Sequence, residues 1–224
     1  MCSSLLVLLV LLVGCGATPD ALAGLPASMA PSSVAHRPQE SAPATGDART
    51  VVVVGDSVTA GTGPLDSARH PGAMSWVPAA EGLPLDFTGG WAVPGATSAQ
   101  MQDGVTALSA DVLLLMAGTN DVQAGIPWAR TEEALTAISA TVGADRTVLL
   151  AIPPLDGRPA DGLAFNVHAA VLAQQRGWGF VDPWTGVSED GRYLPGGSAD
   201  GVHPTPETAA VAGRAIRDAL LGGA

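Results

Sequence analysis

The run Val51-Val52-Val53-Val54-Gly55-Asp56-Ser57 restricts the fold of this chain more than any other stretch. Four valines in succession favour extended backbone, because branching at Cβ restricts χ1 and suits a pleated, packed surface. The run is apolar throughout instead of alternating, which predicts a central parallel strand covered on both faces. Gly55 lets the backbone turn sharply at the carboxyl end of that strand. Ser57 then falls just past the strand end, where open α/β sheets bind their ligands, so position alone makes it a candidate nucleophile.

The chain that follows repeats the pattern. An extended piece over Leu83 to Val93 is followed by a leucine-centred strand from Asp111 to Ala117, which breaks at Gly118-Thr119-Asn120-Asp121. Thr147 to Ile152 is a further buried strand stopped by Pro153 and Pro154, and Gly179 to Val181 is a short last one. Between them lie amphipathic periods: a short helix over Ala73 to Ala80, and one capped by Ser98 with Met101, Val105 and Leu108 on its apolar face. Thr131 opens another, with Leu135, Ile138 and Val142 inward, and Asp161 to Arg176 carries Leu163, Val167 and Val171 inward. The last has Thr205 as N-cap, Pro206 at its first position, and Ala212, Ile216 and Leu220 at i+4 spacing. Strands alternating with helices imply right-handed βαβ crossovers. The expected fold is therefore α/β, a three-layer α/β/α sandwich around a parallel sheet of about five strands, flavodoxin-like.

With 224 residues, 47% of them hydrophobic, the chain can bury one substantial core. It has no lysine and a net charge of −11, which argues against a nucleic-acid partner because phosphate binding needs a basic surface. Leu5 to Val13 is too short to span a bilayer, which takes ~20 apolar residues, but suits the core of a signal peptide. It ends in Leu12-Val13-Gly14-Cys15, which resembles the lipobox of bacterial lipoproteins. The expected organisation is a signal peptide over 1–14, a lipidated tether rich in Pro, Ala and Ser over 15–49, and one folded domain over 50–224. The protein is expected to be exported and held at the outer face of the membrane through Cys15, or else secreted, and to be a monomer.

Four short blocks carry the chemistry: Gly55-Asp56-Ser57, then Gly95 within Val93-Pro94-Gly95-Ala96-Thr97-Ser98, then Gly118-Thr119-Asn120-Asp121, and finally Asp200-Gly201-Val202-His203-Pro204. Together, and in this order, they resemble the SGNH (GDSL-type) hydrolases, a family of esterases and lipases. The resemblance implies Ser57 as nucleophile, His203 as general base and Asp200 as the acid that orients the imidazole. It also implies an oxyanion hole formed by the backbone N–H groups of Ser57 and Gly95 and the side-chain amide of Asn120. The expected substrate is a small-molecule, glycan or lipid ester, cleaved through an acyl-enzyme with no cofactor and no metal.

Other readings compete. Ser57 could merely cap a helix, Asp56 suits turn bracing better than catalysis, and Asp121 suits a loop or cap role. His36, His70 and His168 read as solvated, and the five tryptophans as core or rim packing. Thr59 stands where an α/β-hydrolase elbow needs glycine, no dinucleotide or phosphate loop follows any strand, and Cys2 and Cys15 cannot form a zinc site. A carbohydrate O-deacetylase or O-acetyltransferase remains open, as does an inactive binding lipoprotein. Substrate choice is expected to lie in the segments Pro153 to Leu163 and Pro183 to Ala199.

Overall fold

The computed structural model describes residues 48–61 and 71–223. Cys15, the leader, most of the tether, His36 and His70 lie outside the described residues. The valine run is the centre of strand β1 (Arg49–Gly55), paired in parallel with β2 (Leu85–Ala92) on one side and β3 (Val112–Met116) on the other. β4 (Arg146–Leu150) and β5 (Gly179–Val181) complete a five-stranded parallel sheet of order β2-β1-β3-β4-β5. This is the expected three-layer α/β/α arrangement. The chain leaves β1 toward β2 and then crosses back to β3, so the winding direction reverses between β1 and β3 and opens a crevice at their carboxyl ends.

Residue parity along the strands decides which layer each side chain joins, because successive side chains point to opposite faces. Val51 and Val53 pack with Leu114 and Val148 against Trp76, Ala212, Ile216 and Leu220. Those partners come from the short helix α2 (Val77–Ala80) with its preceding residue, and from the final helix α7 (Pro206–Gly222). Val52 and Val54 join Leu113 and Leu115 on the opposite face, under α3 (Ser98–Gly104), α5 (Trp128–Val142) and α6 (Pro159–Arg176). All four valines are buried. At roughly 1.5–3 kcal/mol for each fully buried aliphatic side chain, this burial holds the strand firmly beneath the residues that follow it.

Three helices differ from the sequence expectation. Helix α6 turns a different face inward: Leu163, Val167 and Val171 are 49%, 62% and 45% exposed, whereas Phe165, Ala169, Leu172 and Ala173 are buried. Both stripes are apolar at helical spacing, so periodicity alone does not choose between them. The fit of Phe165 against Gly118 does, since a Cβ at 118 would stand 2.0 Å from the Phe165 ring. Helix α3 is capped by Thr97 through a capping box with Gln100, not by Ser98, and it ends before Leu108. Helix α5 begins at Trp128 after Pro127, which places Thr131 inside it. Ser98 and Thr131 are diverted to one shared partner, described below.

Candidate active site

Ser57 opens α1 (Ser57–Ala60), a single helical turn set directly on the end of β1. Glycine at 55 makes that possible, because a Cβ there would lie 2.2 Å from the Thr59 hydroxyl. The turn is pinned from below: the Thr59 carbonyl accepts from the Ser75 hydroxyl at 2.6 Å, and the Asp56 carboxylate accepts from the Val58 N–H at 3.0 Å. As the first residue of the helix, Ser57 has an N–H with no acceptor within it. Its side chain is only half-buried, so it can be reached.

The residue facing it comes from the loop before α7. His203 Nε2 stands 2.8 Å from Ser57 Oγ, and His203 Nδ1 stands 2.7 Å from Asp200 Oδ2. An ionised carboxylate can only accept, so Nδ1 carries the ring proton and Nε2 is left bare to accept from the serine hydroxyl. Desolvation tends to raise the Asp200 carboxyl, yet its bonds to the His203 ring and to the N–H groups of His203 and Val202 outweigh this and hold it well below the usual carboxylate range. Asp200 is therefore ionised at neutral pH.

This loop holds its shape by local polar contacts. Asp200 Oδ1 accepts from the backbone N–H of Val202 at 2.9 Å and of His203 at 2.8 Å, which leaves Oδ2 free for the ring. The Ser198 hydroxyl donates to the His203 carbonyl at 2.6 Å and accepts from the Gly201 N–H at 2.9 Å. From below, the Tyr193 hydroxyl donates to the Val202 carbonyl at 2.9 Å. Burial pushes the Tyr193 phenol up, so it remains a donor throughout the working pH range. Tyr193 belongs to a two-residue strand, β7 (Arg192–Tyr193), paired with β6 (Ser188–Glu189), and packs edge-on against Trp184. Neither Ser198 nor Tyr193 is evident from sequence. Ser198, two residues before Asp200, carries a weak hydroxyl-turn signal, and Tyr193 carries none.

Asn120 lies in α4 (Thr119–Ala124), which follows β3. Its amide donates to the Ala96 carbonyl at 2.9 Å and makes a longer contact of 3.4 Å to Asp56 Oδ2. It thus bridges the Ser57 turn and the loop that bears Gly95. The backbone at Gly95 has φ +80°, and a Cβ there would meet nothing within 4 Å. Glycine is thus required at 95 by the backbone conformation and not by crowding, and the space in front of it is open. The three proposed oxyanion donors come from the ends of three adjacent strands, β2, β1 and β3.

Asp56 and Asp121 are both fully buried, and neither touches the serine hydroxyl. Burial pushes the Asp56 carboxyl up to about 6, against the opposing pull of the Val58 N–H. Asp121 accepts from the Ser98 N–H at 2.9 Å, the Ser98 hydroxyl at 2.5 Å and the Thr131 hydroxyl at 2.9 Å. It thereby ties α3, α4 and α5 together one residue from Asn120. Both carboxylates act as braces, in line with the reading of their positions in the sequence. Of the tryptophans, Trp76 and Trp184 are buried, whereas Trp91, Trp128 and Trp178 are only partly so. His168 is exposed as expected, but its ring lies on Trp128 with centroids 5.2 Å apart.

Comparison with known proteins gives a consistent outcome. Residues 53–211 match the model of the GDSL-like lipase/acylhydrolase family. Among solved structures, a GDSL-like lipase from Bacteroides thetaiotaomicron superposes with a TM-score of 0.57 at 21% identity, over 79% of this chain and 89% of that one. A catalytic mutant of an acetylxylan esterase from Geobacillus stearothermophilus gives 0.58 at 16% identity, over 76% and 93%. A member of the lipolytic G-D-S-L family from Veillonella parvula gives 0.58 at 17%, over 77% and 96%. At these identities the likeness is one of fold. No curated protein matches the chain in sequence.

Proposed function

The chain belongs to the GDSL-like lipase/acylhydrolase family and is a carboxylic ester hydrolase, and we propose that it is a serine esterase working through an acyl-enzyme on Ser57. His203 Nε2 takes the hydroxyl proton as Oγ attacks the ester carbonyl carbon, and the negative charge moves to the carbonyl oxygen. That oxygen is received by the N–H groups of Ser57 and Gly95 and by the Asn120 amide proton that makes only the long contact to Asp56. The intermediate collapses by breaking the bond to the alcohol oxygen, which leaves with the proton from His203 Nε2. Water repeats the sequence on the acyl-serine, releasing the carboxylic acid and restoring Ser57.

One observation carries this reading: the unbroken chain from Asp200 through both nitrogens of His203 to Ser57 Oγ, at 2.7 and 2.8 Å. Asp200 is more than half exposed, so its contribution is tautomer selection and ring orientation more than raw Coulomb attraction, which solvent weakens. The test is hydrolysis of p-nitrophenyl acetate by the domain. We expect Ser57→Ala to lower kcat/KM by at least about 10⁴-fold with the fold retained, as losing a nucleophile does elsewhere. Equal turnover by the variant would refute the assignment. Removal of acetyl groups from carbohydrate is a second reading on the same machinery, supported by the acetylxylan esterase among the structural neighbours.

A further inference from the structure

We propose that Asp156 is a positioning residue for the reaction, setting how far the turn that carries Asp200 and His203 stands from Ser57 by acting through Gly201 and Tyr193. This rests on the serine-esterase reading above, because the distance matters to the rate only if His203 takes the serine proton.

The shape of that turn and its placement have different sources. Ser198 and Asp200 fix the shape from within, but bonds inside the turn cannot hold the imidazole 2.8 Å from Ser57 Oγ. On one side the turn runs into α7, which is packed on the sheet. On the other, and apart from the bond to Ser57, two hydrogen bonds among the described residues tie it to the rest of the protein. The Gly201 carbonyl accepts from the Asp156 N–H at 2.9 Å, and the Val202 carbonyl accepts from the Tyr193 hydroxyl at 2.9 Å. Both lead to Asp156, because its Oδ1 accepts from the Tyr193 N–H at 2.9 Å. A steric contact adds to them: a Cβ at 201 would stand 2.8 Å from the Asp156 Cβ, so glycine is what lets the turn lie directly on this residue.

Asp156 is itself firmly held. Ala151 to Leu155 continue the chain from β4, and all five residues are buried. The Asn166 side chain pairs with both the N–H and the carbonyl of Ile152, at 2.9 and 3.1 Å, and the Trp184 indole donates to the Ala151 carbonyl at 2.9 Å. The Arg158 N–H closes a tight turn on the Leu155 carbonyl at 2.8 Å, and the Arg192 guanidinium donates to the Asp156 carbonyl. Asp156 thus ends a buried segment built on the sheet and hands the position of β4 on to the imidazole. Such accuracy has a kinetic value, since a misplacement of about 1 Å can cost about 10²-fold in rate.

The test measures hydrolysis of p-nitrophenyl acetate together with the proton resonance of His203 Nδ1, which is shared with Asp200 and moves to low field. We expect Asp156→Ala to lower kcat by about tenfold with KM within about twofold, and to shift or broaden that resonance. Asp156→Asn keeps an oxygen that accepts from the Tyr193 N–H, so its kcat should stay within about threefold of wild type and its resonance in place. Tyr193→Phe should cost about fivefold, and combining it with Asp156→Ala should cost about as much as Asp156→Ala alone, because the two side chains share one route. A role in stability alone would lower the melting temperature and leave both readouts of the folded protein as they are. The proposal is overturned if Asp156→Ala keeps kcat and resonance, if Asp156→Asn loses as much as Asp156→Ala, or if the losses from Asp156 and Tyr193 multiply. Should Asp156→Ala not fold, Tyr193→Phe decides, and an unchanged kcat and resonance there overturn it. Failure of the wild type to hydrolyse p-nitrophenyl acetate would instead sink the serine-esterase reading. The resonance then still decides the placement: its loss in Asp156→Ala and Tyr193→Phe supports it, and its persistence in both overturns it.

Discussion

Asp56 and Asp200 flank the same serine–histidine pair, one at the end of β1 and one in the loop before α7, in opposite surroundings. Asp56 is wholly buried, capped onto Val58 and pushed up by desolvation. Asp200 is exposed, accepts from the imidazole and two backbone N–H groups, and is held down. The same contrast runs through the two halves of the site. Ser57 and Asn120 inherit their positions from the sheet core, whereas His203 is held by a loop folded on itself around Ser198 and Asp200. A side chain carried by core strands leans less on polar contacts of its own segment than one on an exposed loop, where Ser198 and Asp200 hold the turn from within and Tyr193 holds it from below.

The sharpest way to probe the core-anchored half is Asn120→Ala. If the amide supplies one of the oxyanion donors, kcat for p-nitrophenyl acetate should fall by roughly 10²–10³-fold, the usual loss for one such group. A change below about threefold would remove Asn120 from the chemistry and leave it as a bridge between loops. The loop half should respond more mildly. Ser198→Ala removes the contacts to the His203 carbonyl and the Gly201 N–H, so we expect kcat to drop about tenfold through misplacement of the imidazole. KM and the melting temperature should move little, and Ser198→Thr should restore much of the rate. If kcat is untouched, the loop does not depend on its own network and the contrast drawn above is broken.

The smallest effect is a change of slope at Asp56. Its folded pKa of about 6 lies above the ~3.9 of an unfolded aspartate, so the native state holds a proton that the unfolded chain has already lost. The associated stabilisation is fully present below about pH 4 and is lost as pH rises through about 6. Asp56→Asn cannot ionise, so its melting temperature relative to wild type should climb between pH 4 and 7. Asp200 is common to both proteins and cancels in the difference. A difference that stays flat, or that falls with pH, would mean that Asp56 is ionised without penalty in the folded state.

Much of this was legible in the sequence wherever a local rule and the global fold agree. The valine run, the break at Gly55, and the last helix with Thr205 and Pro206 at its start are each set by rules that act within a few residues, and the four motif blocks were legible by resemblance although their residues meet only across long separations. The orientation of α6 was not legible, because Leu163, Val167 and Val171 are as regularly spaced as the residues that are buried. Nor were the roles of Ser98 and Thr131, since each has the composition of a helix cap and is instead drawn to Asp121, at separations of 23 and 10 residues.

The sequence by itself determined the strand that carries Ser57 and the start of the last helix, because β-branching, glycine at a turn and helix capping act over a few residues, while the residues proposed to share the chemistry of Ser57 came from the family resemblance of four motif blocks. The tertiary structure alone decided that Asp56 is buried while Asp200 is not, which face of α6 turns inward, and that Ser98 and Thr131 converge on Asp121. Those outcomes depend on desolvation and on side-chain fit between segments far apart in the chain, and such terms exist only once the layers have packed.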